Sequence, residues 1–430
     1  MSMLWIPVFI FLFAVLAYKR WSPVLLGPTV SVILCVVTGL PVLDTMMGPY
    51  MTATTDFIKS NFFVFFLGAI FGAVMEETNA AKAIAVWMSG ITKGKFVLPL
   101  IMTIAGILCY GGVLGFVVYF AVYPITLHLC REANISRALI PATIGAGCWT
   151  WANALPGSPA IPNVIASKTL GTPATADLGA GILFCGIMMY ALCFLYLEWQ
   201  ARKYKALNRG FVMDNVVKEE MESKTESKMP KIWLALLPMI IILVLYNVIG
   251  ISIEFALLAG VLFAFVSMYR CGGDAKTWLK TFNKGAGNTT GVILNVSLVV
   301  GFAGVMKQTE MFNLLVESIG KLNIPPLVFV AVTTATCAAA SASSSGGMGV
   351  AMTTFGSTYL SMGVNPALIH RVAVVAASTL DTLPHTGGQI TLLQICHQTH
   401  KDSFSHIFIT QAIIPIICLV CLIAWHGLGF

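Results

Sequence analysis

The sequence predicts an all-α polytopic membrane protein with two inverted-topology repeats. Each repeat contains a re-entrant hairpin and a broken helix, which gives about ten transmembrane helices and two hairpins in all. Three observations support this fold class. Apolar runs long enough to span a bilayer recur along the chain, motifs of the first half return in the second half, and basic residues collect on one side of the resulting topology.

The composition excludes a soluble domain. Of the 430 residues, 57% are hydrophobic and 10% are charged, whereas about 25% of the residues in an ordinary soluble domain are charged. The apolar runs, such as 24–43, 232–249 and 408–425, are continuous, so they do not follow the alternation of an outer-membrane barrel. The first apolar run precedes Lys19 and Arg20, the reverse order of a secretory signal, and we expect it to remain as a helix.

Charge and cysteine content exclude other classes. The formal net charge is +7, but the basic residues are spread along the chain without interleaved aromatic residues, so we expect no nucleic-acid partner. The eleven cysteines lie mostly inside apolar runs and lack the spacing of a zinc site or of a disulfide framework. They are interpreted as packing residues, and we expect neither a metal nor a cofactor.

Hydropathy and helix breakers divide the chain into five parts. We expect scaffold helices at 1–95, then the hairpin, broken helix and last helix of the first repeat at 96–200, a polar cytoplasmic linker at 201–230, and the same two groups again at 231–322 and 323–430. The predicted helices are 4–18, 22–42, 58–78, 79–91, 136–169, 178–200, 231–250, 252–269, 288–308, 309–321, 366–397 and 404–427, with hairpins at 96–130 and 325–362.

The internal repeat is visible in the residue identities as well as in the hydropathy. Residues 67–78 align with residues 298–309, and residues 154–158, Ala-Leu-Pro-Gly-Ser, align with residues 382–386, Thr-Leu-Pro-His-Thr. The two offsets, 231 and 228 residues, are nearly equal. Because helix breakers match in the same order, the second half is interpreted as a copy of the first.

The positive-inside rule gives an independent test of the topology. A cytoplasmic linker and two re-entrant hairpins leave both termini periplasmic, and 20 of the 25 basic residues then face the cytoplasm. Each half crosses the membrane an odd number of times, so the two halves are inverted relative to each other. We therefore expect a multi-pass protein of the cell inner membrane.

Four chain breaks predict where a binding site lies. They are the hairpin tips 109–116 and 341–349 and the broken helices 153–163 and 381–388, at matching places in the two halves. Irregular backbone at membrane depth persists only where protein or a water-filled cavity satisfies its polar groups. Paired discontinuous helices direct the N-termini of half-helices towards a site near the midplane, where they favour an anion. The alternative is that Gly and Pro only kink packed helices.

The residues at the breaks offer hydroxyl, amide and exposed backbone donors, which suit a carboxylate that carries hydroxyl groups. The predicted substrate-binding residues are Ser343, Ser344, Ser345, Gly346, Gly347, Thr382, His385, Thr386, Asn153, Ser158, Asn163, Gly111 and Gly112. Asp381 and His385 are the candidates for proton coupling, because ionisable residues at membrane depth are commonly functional. Asp381 could instead brace the broken helix, and His385 could only hydrogen-bond the substrate. Trp149 and Trp151 either wall the site or pack.

Three motifs resemble those of the gluconate permease family, within the larger ion transporter superfamily. They are Ser-Ser-Ser-Gly-Gly-Met-Gly at 343–349, Leu-Asp-Thr-Leu-Pro-His-Thr-Gly-Gly at 380–388 and Leu-Pro-Gly-Ser-Pro-Ala-Ile-Pro-Asn at 155–163. The resemblance covers essentially the whole chain. It implies a proton-coupled symporter for gluconate or a related small hydroxy acid, a homodimer, and an elevator mechanism. Thr386 stands where gluconate members often have Asn, so a short acid such as 3-hydroxybutyrate or lactate is equally compatible.

We therefore predict a secondary active transporter that takes up a small hydroxy-carboxylate with protons, with 96–200 and 323–430 as the transport helices and the bilayer as a partner. The paired Ser-Asn-Thr motifs of sodium-coupled dicarboxylate members are absent, which favours protons. The alternatives are a sodium-coupled carboxylate symporter and a cation/proton antiporter. An antiporter would be expected to have several carboxylates at the midplane, whereas the sequence predicts one there, that of Asp381. No metal-ligand cluster or nucleophile–base pair in the sequence indicates an enzyme.

Overall fold

The computed structural model of the chain describes residues 5–19, 21–92, 95–110, 115–215, 217–218, 229–245, 249, 251–321 and 323–429. Within these ranges the protein is helical, with no strand. Five of the described segments are long and apolar enough to cross a membrane, namely Val42–Glu77, Leu178–Ala206, Ile253–Cys271, Ala275–Met306 and His400–Gly427. Together with shorter apolar helices they confirm the predicted all-α membrane fold.

In the described part of the first repeat there are nine helices. They are α1 (Trp5–Tyr18), α2 (Pro23–Thr38), α3 (Val42–Glu77), α4 (Ala80–Thr92), α5 (Val97–Tyr110), α6 (Gly115–Glu132), α7 (137–154), α8 (Ile161–Leu170) and α9 (Leu178–Ala206). The described residues of the second repeat form another nine. They are α10 (Ile232–Val244), α11 (Ile253–Met268), α12 (Ala275–Met306), α13 (Glu310–Gly320), α14 (Pro326–Ser341), α15 (Ser344–Ser361), α16 (Pro366–Ala377), α17 (Gly387–Ile395) and α18 (His400–Gly427).

Helix bounds are where the sequence prediction was wrong. Helix α3 begins at Val42 rather than 58, and α12 begins at Ala275 rather than 288. Both extensions are polar, so a hydropathy window stops at the edge of the apolar part although the helix continues. The start of α12 is fixed locally, because the Asp274 side chain accepts a hydrogen bond from the Thr277 amide at 2.9 Å.

Helices α3 and α12, which contain the aligned segments 67–78 and 298–309, pack along each other through small residues. A Cβ on Gly304 would lie 2.6 Å from that of Ala53, and a Cβ on Gly301 would lie 2.6 Å from Thr54 Oγ1. Helix α2 approaches α12 as closely, since a Cβ on Gly27 would lie 2.3 Å from the Leu298 carbonyl oxygen. Small residues at contacts of this kind allow the close helix packing that stabilises membrane proteins.

The two over-long apolar segments form hairpins. Helices α14 and α15 reverse direction at Ala342, which has a left-handed backbone with φ of 52°, and at Ser343, the N-cap of α15. Helices α5 and α6 form the equivalent pair, and the residues between them, which include Gly111 and Gly112, lie outside the described part of the chain. Residues at both hairpin ends, Cys109 and Gly115 in one and 341–346 in the other, line the same internal cavity. The described ends of both hairpins therefore lie inside the protein, beside one cavity.

The two last helices share an irregularity that supports the repeat. A π-helical stretch interrupts α9 at Gly181–Met188 and α18 at Ile409–Ile413. The two stretches begin 228 residues apart, which is the offset of the aligned Leu-Pro segments at the broken helices. A π-helical stretch interrupts the regular α-helical hydrogen bonds. Because it occurs at the same position in both halves, it supports the interpretation of the second half as a copy of the first.

The first part of the linker is fixed to the first repeat. Arg137 Nη1 donates to Asp214 Oδ2 at 2.7 Å, and the Phe211 amide donates to Asn134 Oδ1 at 3.0 Å. Partial burial opposes ionisation of Asp214, but hydrogen bonds from the Val217 amide and from Arg137 outweigh it and hold the pKa of that carboxyl below its ordinary value. The predicted linker therefore begins as ordered structure; residues 219–228 lie outside the described ranges.

Gly347 and Gly349 on α15 give a matched test of hairpin packing. A Cβ on Gly347 would lie 2.2 Å from Ala338 Cα on α14, whereas a Cβ on Gly349 would meet nothing within 4 Å. We expect Gly347→Ala to lower the melting temperature of the purified protein, because α14 and α15 must separate. Gly349→Ala should leave it unchanged or raise it, since Ala is favoured over Gly in a helix by about 1 kcal/mol. Equal melting temperatures for the two variants would contradict this packing.

Candidate functional site

All four chain breaks have residues on one cavity of about 1370 Å³. One wall comes from α3 and α12, including Pro49, Ala53 and Gly304, and the opposite wall comes from the hairpin ends and the broken helices. The residues of that opposite wall are Cys109, Gly115, Phe116, Cys148, Trp149, Asn153, Pro159, Ala160, Ile161, Pro162, Ser341, Ala342, Ser343, Ser344, Ser345, Gly346, Asp381, Thr386, Gly387 and Gly388. The cavity thus lies between two groups of helices that contain the same elements of both repeats.

The serine-rich tip presents the N-terminus of α15 to the cavity. Ser343 Oγ accepts a hydrogen bond from the Gly346 amide at 3.2 Å, so this hydroxyl is the N-cap of the helix. Ser344 and Ser345 form the first turn and also line the cavity. The N-terminus of α17 reaches the same space through Gly387 and Gly388. Two helix N-termini therefore direct partial positive charge into one cavity, an arrangement that favours an anion.

The first broken helix is held open by Arg371 from the second repeat. Helix α7 ends at Ala154, and its carbonyl oxygen accepts a hydrogen bond from Arg371 Nη1 at 2.9 Å. The same fully buried guanidinium donates to the carbonyl oxygens of Ala174 and Ala176. An arginine thus satisfies the carbonyl at the end of the interrupted helix, and nothing in the sequence indicated this role.

A second contact between the repeats joins the other half of this break to α16. Asn163 donates from Nδ2 to the Ser158 carbonyl at 3.1 Å, so its Oδ1 faces His370 Nε2 at 2.8 Å as acceptor. His370 Nδ1 then accepts from the Thr172 hydroxyl at 2.7 Å. Both ring nitrogens of His370 are therefore paired, one with each half of this contact. Ser158 and Asn163 stabilise the break and do not line the cavity.

The second broken helix carries the acidic group of the site. Asp381 lies in a short 3-10 turn between α16 and α17, and its carboxyl lines the cavity. Its Oδ1 accepts from Thr382 Oγ1 at 3.1 Å, and the Ser344 hydroxyl at the tip of the hairpin is a second hydrogen-bond partner. Asp381 therefore joins the broken helix to the N-terminus of α15 while it stays open to the cavity.

His385 lies behind the cavity wall. Its Nε2 donates to the Ala339 carbonyl at 2.9 Å, and its ring packs between Phe13 and Phe302, with centroids 6.1 Å and 6.2 Å away. Nδ1 is buried and has no hydrogen-bond partner among the described residues. His385 thus attaches the second break to helix α14, and its contact with substrate stays a prediction.

Three further polar atoms in the cavity wall have no hydrogen-bond partner within the described ranges. They are the indole Nε1 of Trp149 and the hydroxyl oxygens of Ser341 and Thr386. Buried polar groups in proteins are nearly always paired. These three atoms are themselves buried, so they mark places in the wall where water or a bound molecule would have to enter to pair them. Trp149 lines the cavity and also packs on Phe116 and Tyr119, so it fits both of the alternatives that the sequence left open.

Charged residues at the open end of the cavity were missed by sequence reasoning. Asp56 of α3 and Lys307, just after α12, both line the cavity and are exposed. Lys307 is the one basic residue among the described lining residues. Asp56 was missed because it lies before the apolar part of α3, and Lys307 because it lies in the aligned segment 298–309, where its counterpart in the first repeat is Glu76. Glu76 lies away from the cavity, with its Oε1 3.2 Å from His128 Nε2.

The predicted site residues thus fall into three groups. Those that line the cavity are Ser343, Ser344, Ser345, Gly346, Thr386, Asn153 and Asp381. Those that lie behind the wall or brace the breaks are Gly347, Thr382, His385, Ser158 and Asn163. Gly111 and Gly112 lie outside the described residues. Thr382, for example, points to α18, where its hydroxyl donates to the Gln411 carbonyl at 3.3 Å.

An internal cavity lined by interrupted helices of two inverted repeats is the arrangement of secondary transporters, and the comparisons below agree that the chain is a multi-pass membrane transporter. The chain belongs to the Na⁺/H⁺ antiporter family, whose model matches residues 182–428. This is a different family from the gluconate permeases whose motifs it resembles.

Two curated relatives are transporters whose names give no substrate. An uncharacterized transporter of Bacillus subtilis, YxjC, is 31% identical over 437 aligned residues, which cover 91% of this chain and 92% of the relative. An uncharacterized transporter of Haemophilus influenzae is 25% identical over 346 residues, 75% of this chain and 76% of the relative. Among solved structures, the YdaH transporter of Alcanivorax borkumensis aligns with a TM-score of 0.38 and 13% identity, over 95% of this chain and 99% of that one.

Two asparagines of the first break give a test of these assignments. Asn163→Ala should lower the melting temperature, because it leaves the Ser158 carbonyl and His370 without partners at a cost of about 1–3 kcal/mol for each buried group. Asn153→Ala should leave the melting temperature unchanged, because Asn153 lines the cavity. A larger destabilisation in Asn153→Ala would show that the roles are reversed.

Proposed function

We propose that the protein takes up a small hydroxy-carboxylate together with a proton by alternating access. The observation that carries this proposal is the position of Asp381 in a cavity that also receives the N-termini of α15 and α17. The helix ends favour a bound carboxylate, whereas an ionised Asp381 opposes one. The two requirements are met together when Asp381 is protonated.

The size of the effect is sufficient for coupling. Two like charges about 4 Å apart repel by about 4 kcal/mol at an effective dielectric constant of 20. A difference of that size corresponds to about a 1000-fold change in affinity. A substrate carboxylate at the tip of α15, where Ser344 contacts Asp381, therefore binds strongly only with a proton on Asp381. Substrate and proton would load and leave together, which is symport.

The neutral groups of the cavity account for a hydroxylated substrate. Trp149 Nε1 can only donate a hydrogen bond, while the hydroxyl groups of Ser341 and Thr386 can donate or accept. Carboxylate oxygens accept, and substrate hydroxyl groups do both. A short hydroxy acid and a sugar acid both satisfy this set, so the class proposed is a small hydroxy-carboxylate.

The two walls of the cavity also support a moving transport unit. One wall belongs to α3 and α12, and the other belongs to the hairpins and broken helices, which Arg371 and His370 connect across the repeats. We propose that the second group moves against the first as an elevator, in a homodimer. The open end, marked by Asp56 and Lys307, lies on the side that the positive-inside rule assigns to the exterior.

Cation/proton antiport is the second candidate, favoured by the description of the matched family and by Asp56 as a further carboxylate on the cavity. In that case Asp381 would bind a cation or a proton in turn and no organic substrate would be needed. A sodium gradient alone would then move protons across the membrane.

Purified protein in liposomes distinguishes the two functions. With labelled 3-hydroxybutyrate and labelled gluconate as probes, we expect uptake of at least one to rise with an inward proton gradient and to be unaffected by a sodium gradient. Asp381→Asn, a neutral mimic of the protonated residue, should still exchange labelled for unlabelled substrate but should no longer concentrate it. A sodium-driven pH change without added acid, and no uptake of either probe, would establish antiport instead.

Lys307 should raise the rate of substrate capture, because a cation at the open end attracts an anion. We expect Lys307→Gln to raise the KM for the acid several-fold at low ionic strength with little change in the maximal rate. The difference from wild type should shrink as salt is added, since about 0.1 M salt screens charges beyond about 10 Å. Lys321→Gln, an exposed lysine away from the cavity, is the control. An unchanged KM in Lys307→Gln would remove Lys307 from the capture step.

A further inference from the structure

Two of the eleven cysteines line the cavity, Cys109 at the end of α5 and Cys148 in the π-helical stretch of α7. Neither has a role in the function proposed above. The two residues lie on touching helix segments, since Cys148 Sγ lies 3.9 Å from the carbonyl oxygen of Ala105, one turn before Cys109 on α5. Cys109 is partly exposed, whereas Cys148 is almost completely buried behind it.

The backbones of α5 and α7 touch beside the two cysteines. A Cβ on Gly147 would lie 2.3 Å from the Met102 carbonyl oxygen and 3.0 Å from the Gly106 amide nitrogen. Gly106 lies one turn before Cys109, and Gly147 immediately precedes Cys148. Helix packing therefore fixes the relative position of the pair.

We propose that Cys109 and Cys148 are a redox-sensitive dithiol, a modification site for peroxides that enter the cavity. Cys109, the accessible member, reacts first: its sulfur attacks one peroxide oxygen, the O–O bond breaks, and one water leaves, giving a sulfenic acid. The Cys148 sulfur then attacks the Cys109 sulfur, the S–O bond breaks, and a second water leaves. In total, two thiols and one hydrogen peroxide give one disulfide and two waters.

The disulfide would join the end of α5 to α7, two elements that the transport cycle needs at the cavity wall. A disulfide requires sulfur atoms about 2.05 Å apart, so α5 and α7, which belong to the same wall, move together at Cys109 and Cys148 and change the lining of the cavity when it forms. We expect transport to stop and to resume on reduction. This effect on uptake rests on the proposed function, whereas formation of the bond does not.

Peptide mapping of the full-length protein tests the bond itself. Wild-type protein in lipid nanodiscs is treated with hydrogen peroxide, alkylated and digested, and cross-linked peptides are identified by mass spectrometry. We expect a Cys109–Cys148 peptide that dithiothreitol removes, together with an increase in melting temperature. Failure to find that peptide at peroxide concentrations that oxidise other cysteines would overturn the proposal, and it would leave the transport function untouched.

Variants assign the effect to this pair. Cys109→Ser and Cys148→Ser should each abolish the peroxide-induced shift in melting temperature, while Cys418→Ser, a buried cysteine away from the cavity, should retain it. In liposomes, peroxide should reduce wild-type uptake reversibly and leave uptake by Cys109→Ser unchanged. Equal inhibition of wild type and Cys109→Ser would show that the pair is not the sensitive site.

Discussion

The structure depends on satisfying the backbone where its membrane helices are interrupted. An unpaired buried carbonyl or amide costs about 1–3 kcal/mol, and a membrane offers no water to replace the lost partner. In this protein, side chains donate hydrogen bonds to the backbone carbonyls at the interruptions. Arg371 donates a hydrogen bond to the carbonyl at the end of α7, and Asn163 donates one to the carbonyl of Ser158. At the second break, His400 donates to the Pro384 carbonyl at 3.0 Å.

The same contacts determine which polar groups remain for the cavity. Residues used as braces, such as Asn163 and His385, have their hydrogen-bonding capacity directed into the protein. The groups left over face the cavity, among them Asp381, Thr386 and the N-termini of α15 and α17. Bracing and binding are therefore divided between neighbouring residues of the same segment. His385 and Thr386 are adjacent in the chain but lie on opposite sides of the wall.

This division between bracing and binding residues explains how much of the site could be predicted from the sequence. The breaks were found because Pro, Gly and Ser clusters within apolar runs have few structural meanings, and their repetition in two halves removed most of the ambiguity. The sequence does not show which polar residues of the breaks face the cavity, because side-chain direction in a non-helical segment follows no periodic pattern. This applies to Ser158, Asn163, Thr382 and Thr386. The mouth was missed for a different reason. Asp56 belongs to the part of α3 that extends beyond the apolar run, which hydropathy does not detect, and Lys307 is a single exposed lysine just after the end of α12.

Arg371 also has a consequence for biosynthesis. The residue that completes the first break follows it by 217 positions, in a part of the chain that is made after the first repeat and the linker. During translation the end of α7 must therefore enter the membrane before its guanidinium partner exists. The first repeat by itself therefore lacks this partner for the Ala154 carbonyl until the second repeat inserts beside it.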